Sequence, residues 1–160
     1  VTDWPEASLD RVRRLRVLAS VLGHSSMTEA MFDAPFDHVW TWFRDVEASV
    51  PAFDGEVRRL RVRHRDGDRL AVTAWQGPGG LVPVPFDMVL EDGWCLMTAP
   101  VHLYVVGMVA EPAGDDRTHV ALMEAMPNPA GRLISSRMAR HVRGDLHRMA
   151  RVLGVNATSM

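Results

Sequence analysis

Apolar residues recur at spacings of three and four over residues 6–22. Leu9, Val12, Leu15, Ala19 and Leu22 share a face, while Arg11, Arg13, Arg14 and Arg16 cover the others. This predicts an amphipathic helix that stops at Gly23 and packs on its own domain. Residues 26–33 read as a first strand. Pro35 suits the first turn of a following helix over 35–45, where its missing N–H costs nothing. That helix lines up Phe36, Val39, Trp40 and Phe43. Val46 to Phe53 reads as a second short helical or irregular piece, interrupted by Pro51.

The period then switches to two. Leu60, Val62 and His64 alternate with Arg59, Arg61, Arg63 and Arg65, and Leu70, Val72 and Ala74 continue the apolar set. Parity favours a three-residue loop, Arg65-Asp66-Gly67, which pairs Val62 with Leu70 and keeps the faces unmixed. The same argument at Glu91-Asp92-Gly93 sets Leu90 opposite Trp94, Met88 opposite Leu96 and Phe86 opposite Thr98, turning Trp94 inward. Trp75 is predicted to face outward. The glycines and prolines between Gly77 and Pro85 predict irregular pairing, at an edge or at a cavity mouth. Two further strands are expected at about 102–111 and 117–126. A break follows at Pro127-Asn128-Pro129, and then a helix over about 130–153, with Ile134, Met138, Val142, Leu146, Met149 and Leu153 on one face.

A chain of 160 residues suits one domain with a sizeable core. No apolar run approaches the roughly 20 residues that span a bilayer, so an integral membrane protein is not expected. No secretory pattern is visible, and Cys95 is the single cysteine, so the default location is cytoplasmic. The net charge of −2 argues against nucleic acid as a partner. All 18 basic residues are arginine, a bias read as that of a GC-rich genome. The stripe of Arg59, Arg61, Arg63 and Arg65 reads as a solvated strand face.

Particular residues carry a resemblance. They are Asp33-Ala34-Pro35 with Val39-Trp40, then Val109-Ala110-Glu111-Pro112 and the acidic turn into Arg117-Thr118-His119-Val120. The last is the helix ending Arg143-Gly144-Asp145-Leu146-His147-Arg148-Met149. Together, and in this order, they resemble the START-like (SRPBCC) superfamily of polyketide cyclase/dehydrase, lipid-transport and Bet v 1-related proteins. The resemblance implies an α+β helix-grip fold: a curved antiparallel sheet of about seven strands wrapped around a long C-terminal helix, here with an extra N-terminal helix. It divides the chain into a helical extension (1–25), a ligand-binding domain (26–154) and a tail (155–160). It implies an apolar cavity between sheet and helix, and it leaves function to be argued from the site.

If the cavity face holds alternate strand residues, three polar groups point into it: His102, Tyr104 and Glu124. A buried carboxylate without a partner has its pKa raised, which makes Glu124 a candidate general acid or base. Tyr104 is placed to hydrogen-bond an enolate or carbonyl oxygen, and His102 to move protons. The expected ligand-binding set is Phe86, Met88, Trp94, His102, Tyr104, Met108, Leu122, Glu124, Met138 and Val142; the methionines suit an irregular apolar ligand. Met126 falls on the same inward face. No metal site is expected, because the histidines lack zinc spacing and no cysteine pair exists. His141 and Asp145, four apart on the last helix, read as a solvated or salt-bridged pair. No cofactor is expected.

The leading expectation is therefore a protein that binds a hydrophobic or aromatic small molecule, of polyketide or lipid type. An aldol-type cyclase/dehydratase is one alternative. A protein-interaction module with a collapsed cavity, acting through the N-terminal helix or the arginine stripe, is the other.

Overall fold

The computed structural model describes residues 9–99 and 104–160. Helix α1 (Arg11–Leu22) starts at Asp10, whose side chain accepts a hydrogen bond from the Arg13 amide at 2.7 Å. Strand β1 (Ser25–Phe32) leads through Asp33-Ala34-Pro35 into α2 (Phe36–Phe43) and α3 (Val46–Phe53), the latter continuing through Pro51. Strands β2 (Arg59–Asp66), β3 (Arg69–Gln76), β4 (Val82–Glu91), β5 (Trp94–Thr98), β6 (Val105–Pro112) and β7 (Thr118–Ala125) follow. Helix α4 (Pro129–Leu153) begins at an Asn128 cap and ends at Gly154, whose φ of +68° is the left-handed stop glycine permits.

The sheet is curved, open and antiparallel, in the order β2-β3-β4-β5-β6-β7-β1-β8. It has eight strands rather than seven. The eighth, β8 (Ala157–Ser159), comes from residues expected to be a tail, and it pairs with the outer edge of β1. No helix among the described residues is long and apolar enough to cross a membrane.

Both hairpins turn more tightly than parity suggested. β2 and β3 pair Asp66 with Arg69 and Val62 with Val72, leaving a two-residue Gly67-Asp68 loop; a bulge at Arg63 takes up the extra residue. β4 and β5 pair Glu91 with Trp94 across Asp92-Gly93, so Leu90 faces Cys95 and Met88 faces Met97. Cys95 and Met97 therefore point inward, and Trp94 points to the opposite face. The parity argument failed there because both sheet faces are buried.

The inner face packs Leu60, Val72, Phe86, Met88, Met108 and Leu122 against α2, α3 and the Val142, Leu146 and Met149 stripe of α4. On the outer face, Val12, Leu15 and Ala19 of α1 cover Trp94, Val105, Val109, Ala121 and Met123. Gly107 makes that approach possible: a Cβ there would lie 2.6 Å from Leu15 Cδ1. Polar contacts clamp α1 in place. Arg16 Nε and Nη2 each donate to a Glu29 carboxylate oxygen at 2.6 Å, and His119 Nε2 is 2.9 Å from the same group. Trp75 lies under the Arg59 guanidinium, 3.8 Å from its ring centre, on the arginine-bearing face as expected.

The glycine- and proline-rich connection is a single 3-10 turn (Pro78–Gly80), and pairing resumes regularly at Gln76–Val82. Pro83 and Pro85 are tolerated because β5 pairs only with Asp87–Glu91. Among the described residues, the first half of β4 therefore has a neighbour on one side alone.

Candidate functional site

A cavity of about 410 Å³ lies between the sheet and the first half of α4. Its apolar walls are Val84 and Phe86 of β4, Ala99 after β5, Met126 after β7, and Ile134 and Met138 of α4. Glu56, Gln76 and Arg137 also border it, while Tyr104, Glu124 and His141 form a polar wall. A smaller cavity of about 30 Å³ lies deeper, bordered by Phe43, Phe53, Met108, Leu122, Val142 and the carboxylates of Asp54, Glu124 and Asp145.

Tyr104, the residue before β6, and Glu124 of β7 both reach the inner face, in phase with the alternation of those strands. Glu124 is only 4% exposed, yet it is not alone. Its Oε1 lies 2.5 Å from His141 Nδ1, on α4. The other ring nitrogen, Nε2, is 3.6 Å from Asp54 Oδ1 and 3.5 Å from Asp145 Oδ2. Asp54 follows α3 and is locked by the amides of Glu56 and Val57, which donate to its Oδ1 at 2.8 and 3.1 Å. Asp145 accepts from the Gly55 amide at 3.2 Å and pairs with Arg148, which in turn donates from Nε to the Phe53 carbonyl at 2.7 Å.

This crowding of carboxylates around one imidazole shifts the titration of His141, Asp145, Asp54 and Tyr104. The hydrogen bond to Glu124, with the charges of Glu124, Asp145 and Asp54, holds the His141 imidazolium up to about 9 against the pull of burial. Burial, followed by the charge of Asp54, pushes the Asp145 carboxyl up to about 7. Burial also raises Asp54, against its backbone hydrogen bonds. The Tyr104 hydroxyl is held well above its ordinary value by burial, then by the charges of Glu124 and Asp54 and a hydrogen bond to Glu124. Cys95 is buried and pushed up to about 12, which leaves it an unreactive thiol at neutral pH.

Of the predicted ligand-binding residues, Phe86, Tyr104, Glu124 and Met138 line the larger cavity, and Met108, Leu122 and Val142 border the smaller one. Met88 shares their face but lies in the core and touches neither. Trp94 is corrected outright: it sits under α1 on the other side of the sheet, with Arg14 over its ring at 4.2 Å. His102 lies outside the described residues. His141 and Asp54 were missed as site residues. The spacing of His141 and Asp145 was visible, but nothing in the sequence placed Asp54 or Glu124 beside them.

No family model matches the chain, and no curated protein matches it in sequence. Solved structures do. The Zhui aromatase/cyclase from a Streptomyces species, R1128, superposes with a TM-score of 0.60 and 16% identity, over 82% of this chain and 94% of that one. TTHA0849 from Thermus thermophilus gives a TM-score of 0.64 and 21% identity, over 81% and 96%. A START superfamily protein from Mycobacterium smegmatis gives 0.54 and 14%, over 81% and 99%. At these identities the likeness is one of fold, and the chain has the START-like (SRPBCC) helix-grip fold.

Proposed function

We propose that this protein binds a hydrophobic or aromatic small molecule, of polyketide or lipid type, in the 410 Å³ cavity between its sheet and α4. The observation that carries this reading is the lining. Apolar walls surround the space, and polar side chains converge on one side, as in sites that bury a ligand and orient it through a few contacts. The volume falls within the range of small-molecule sites and suits a ligand of two or three fused rings. A cavity of this size also speaks against the collapsed interaction module.

Val84 and Ile134 line the cavity and are less deeply buried than Phe86 and Met138. The double variant Val84→Trp/Ile134→Trp is expected to fold and to lower affinity for a fluorescent apolar probe such as anilinonaphthalene sulfonate by at least tenfold. Undiminished probe binding would sink the assignment of the cavity.

A second reading has its own support: Tyr104 and Glu124 share one wall of the cavity. That pair suits proton abstraction next to a carbonyl, with Glu124 taking the proton and the Tyr104 hydroxyl turning to the developing enolate oxygen. An aldol-type cyclase or dehydratase would use this chemistry, and the Streptomyces aromatase/cyclase shares the fold. On an enolisable polyketide mimic, Glu124→Gln is expected to reduce turnover more than binding, and Tyr104→Phe to do so to a smaller degree. Equal turnover in wild type and Glu124→Gln would leave binding alone.

A further inference from the structure

We propose that Asp54, His141 and Asp145 form a binding site for a divalent cation of the Zn²⁺ class, set in the wall that separates the two cavities. One candidate ligand atom from each lies within 4.8 Å of the others. Two ligands about 2.1 Å from a tetrahedral ion stand roughly 3.4 Å apart. His141 Nε2 stands 3.5 Å from Asp145 Oδ2 and 3.6 Å from Asp54 Oδ1, so small side-chain adjustments would suffice.

The decisive observation is the imidazole. Its Nε2 is buried and makes no hydrogen bond, and it points between the two aspartates. Its Nδ1 is held at 2.5 Å by Glu124, whose side chain is only 5% exposed. A histidine that ligates metal through one nitrogen characteristically gives the other to a carboxylate, which fixes the tautomer and the ring plane. Glu124 is therefore a positioning residue for this site. Asp145 is held from its far side by the Gly55 amide and Arg148, and Asp54 by two backbone amides, so the ligands are already oriented.

Charge points the same way. Asp54, Glu124 and Asp145 set three carboxyl groups around one imidazole, with the guanidinium of Arg148 paired to Asp145. A divalent cation would take the place of the proton on His141 Nε2 and set a second positive charge against these carboxyl groups. The mixed nitrogen and oxygen donors suit Zn²⁺ better than Mg²⁺ or Ca²⁺, which take oxygen ligands. Three protein ligands leave a coordination position open, and the 30 Å³ cavity bordered by Asp54 and Asp145 has room for a water there. This site does not depend on what fills the larger cavity.

The test uses the full chain, stripped with chelator and titrated calorimetrically with Zn²⁺ alone, with Co²⁺ as a spectroscopic probe. We expect one equivalent of Zn²⁺ to bind at micromolar or lower concentration. His141→Gln and Asp54→Asn should each weaken it by more than about 100-fold, and Glu124→Gln by about 10–100-fold, as for an outer partner. His24→Gln, which alters a histidine outside the cluster, should bind as wild type. Co²⁺ should give the strong visible absorption of a four-coordinate site. Lack of saturable Zn²⁺ uptake would overturn the proposal, as would uptake that survives both His141→Gln and Asp54→Asn. Should those variants fail to fold, a wild-type Co²⁺ spectrum resembling the hydrated ion would overturn it equally.

Discussion

Gly131→Val is expected to destabilise the protein by about 3 kcal/mol, the upper end of the cost of overpacking. Gly131 is buried in the first turn of α4. A Cβ placed on it would lie only 2.2 Å from the Met126 carbonyl oxygen and 2.9 Å from His24 Cβ. The first of these contacts is to backbone, so no side-chain rotation relieves it. The chain must instead move the start of α4 away from the end of β7. That start carries Ile134, Met138 and His141, so the substitution should also open the cavity and weaken apolar-probe binding. Thermal unfolding would read the stability loss as a fall of about 6–12 °C in Tm. Gly144→Ala on the same helix is the matched control. Its Cβ would meet only the far end of the Arg148 side chain, no closer than 3.4 Å, and alanine favours the helix by about 1 kcal/mol, so it should be neutral or stabilising. Equal Tm values for wild type and Gly131→Val would show that α4 does not cross β7 as closely as described.

Stability should also fall as pH rises, with His141 responsible for the alkaline part. A histidine in the unfolded chain releases its proton near 6.5, while His141 in the fold holds on to about 9. Between those values the folded chain binds the extra proton, so the stabilisation is complete below 6.5 and is lost as pH rises through 9. Asp145 adds slope of the same sign at lower pH. Its carboxyl is raised to about 7 in the fold, so folding is favoured below the unfolded value near 4 and penalised progressively up to 7. Glu29 acts in the opposite sense in acid, because its hydrogen bond to Arg16 holds its carboxyl below the ordinary range. For chelator-treated protein, denaturant titrations should therefore show greatest stability in weak acid. Solvent at the cavity weakens the His141 contribution, leaving a loss of about 2 kcal/mol between pH 6.5 and 9. His141→Gln should flatten that limb. A limb that persists unchanged in His141→Gln would assign the titration to another group.

Local pattern was enough for most of the elements. The switch from three-four spacing to strict alternation and back located α1, α2, α4 and most of the strands, but left α3 open and missed the start of β4 at Val82. The order of the elements, with the residues at their junctions, then carried the resemblance that implied the helix-grip fold. Alternation also put Tyr104 and Glu124 on the cavity face correctly, because a strand side chain has only two directions to choose from. Trp94 shows where that logic stops. Period two says which residues share a face, but not which face is the cavity, and when α1 buries the second face the hydrophobic signal no longer distinguishes them.

Most of the elements, the order of the fold and the two-sided alternation of its strands thus follow from the sequence by itself, because each depends on neighbours a few residues apart. The polar wall was decided by the tertiary structure alone. Asp54 after α3, Glu124 on β7 and His141 on α4 meet only because the sheet closes on the helix. Burial and mutual charge, which shift the titration of His141 and Asp54 and bring the group together, exist only after that closure.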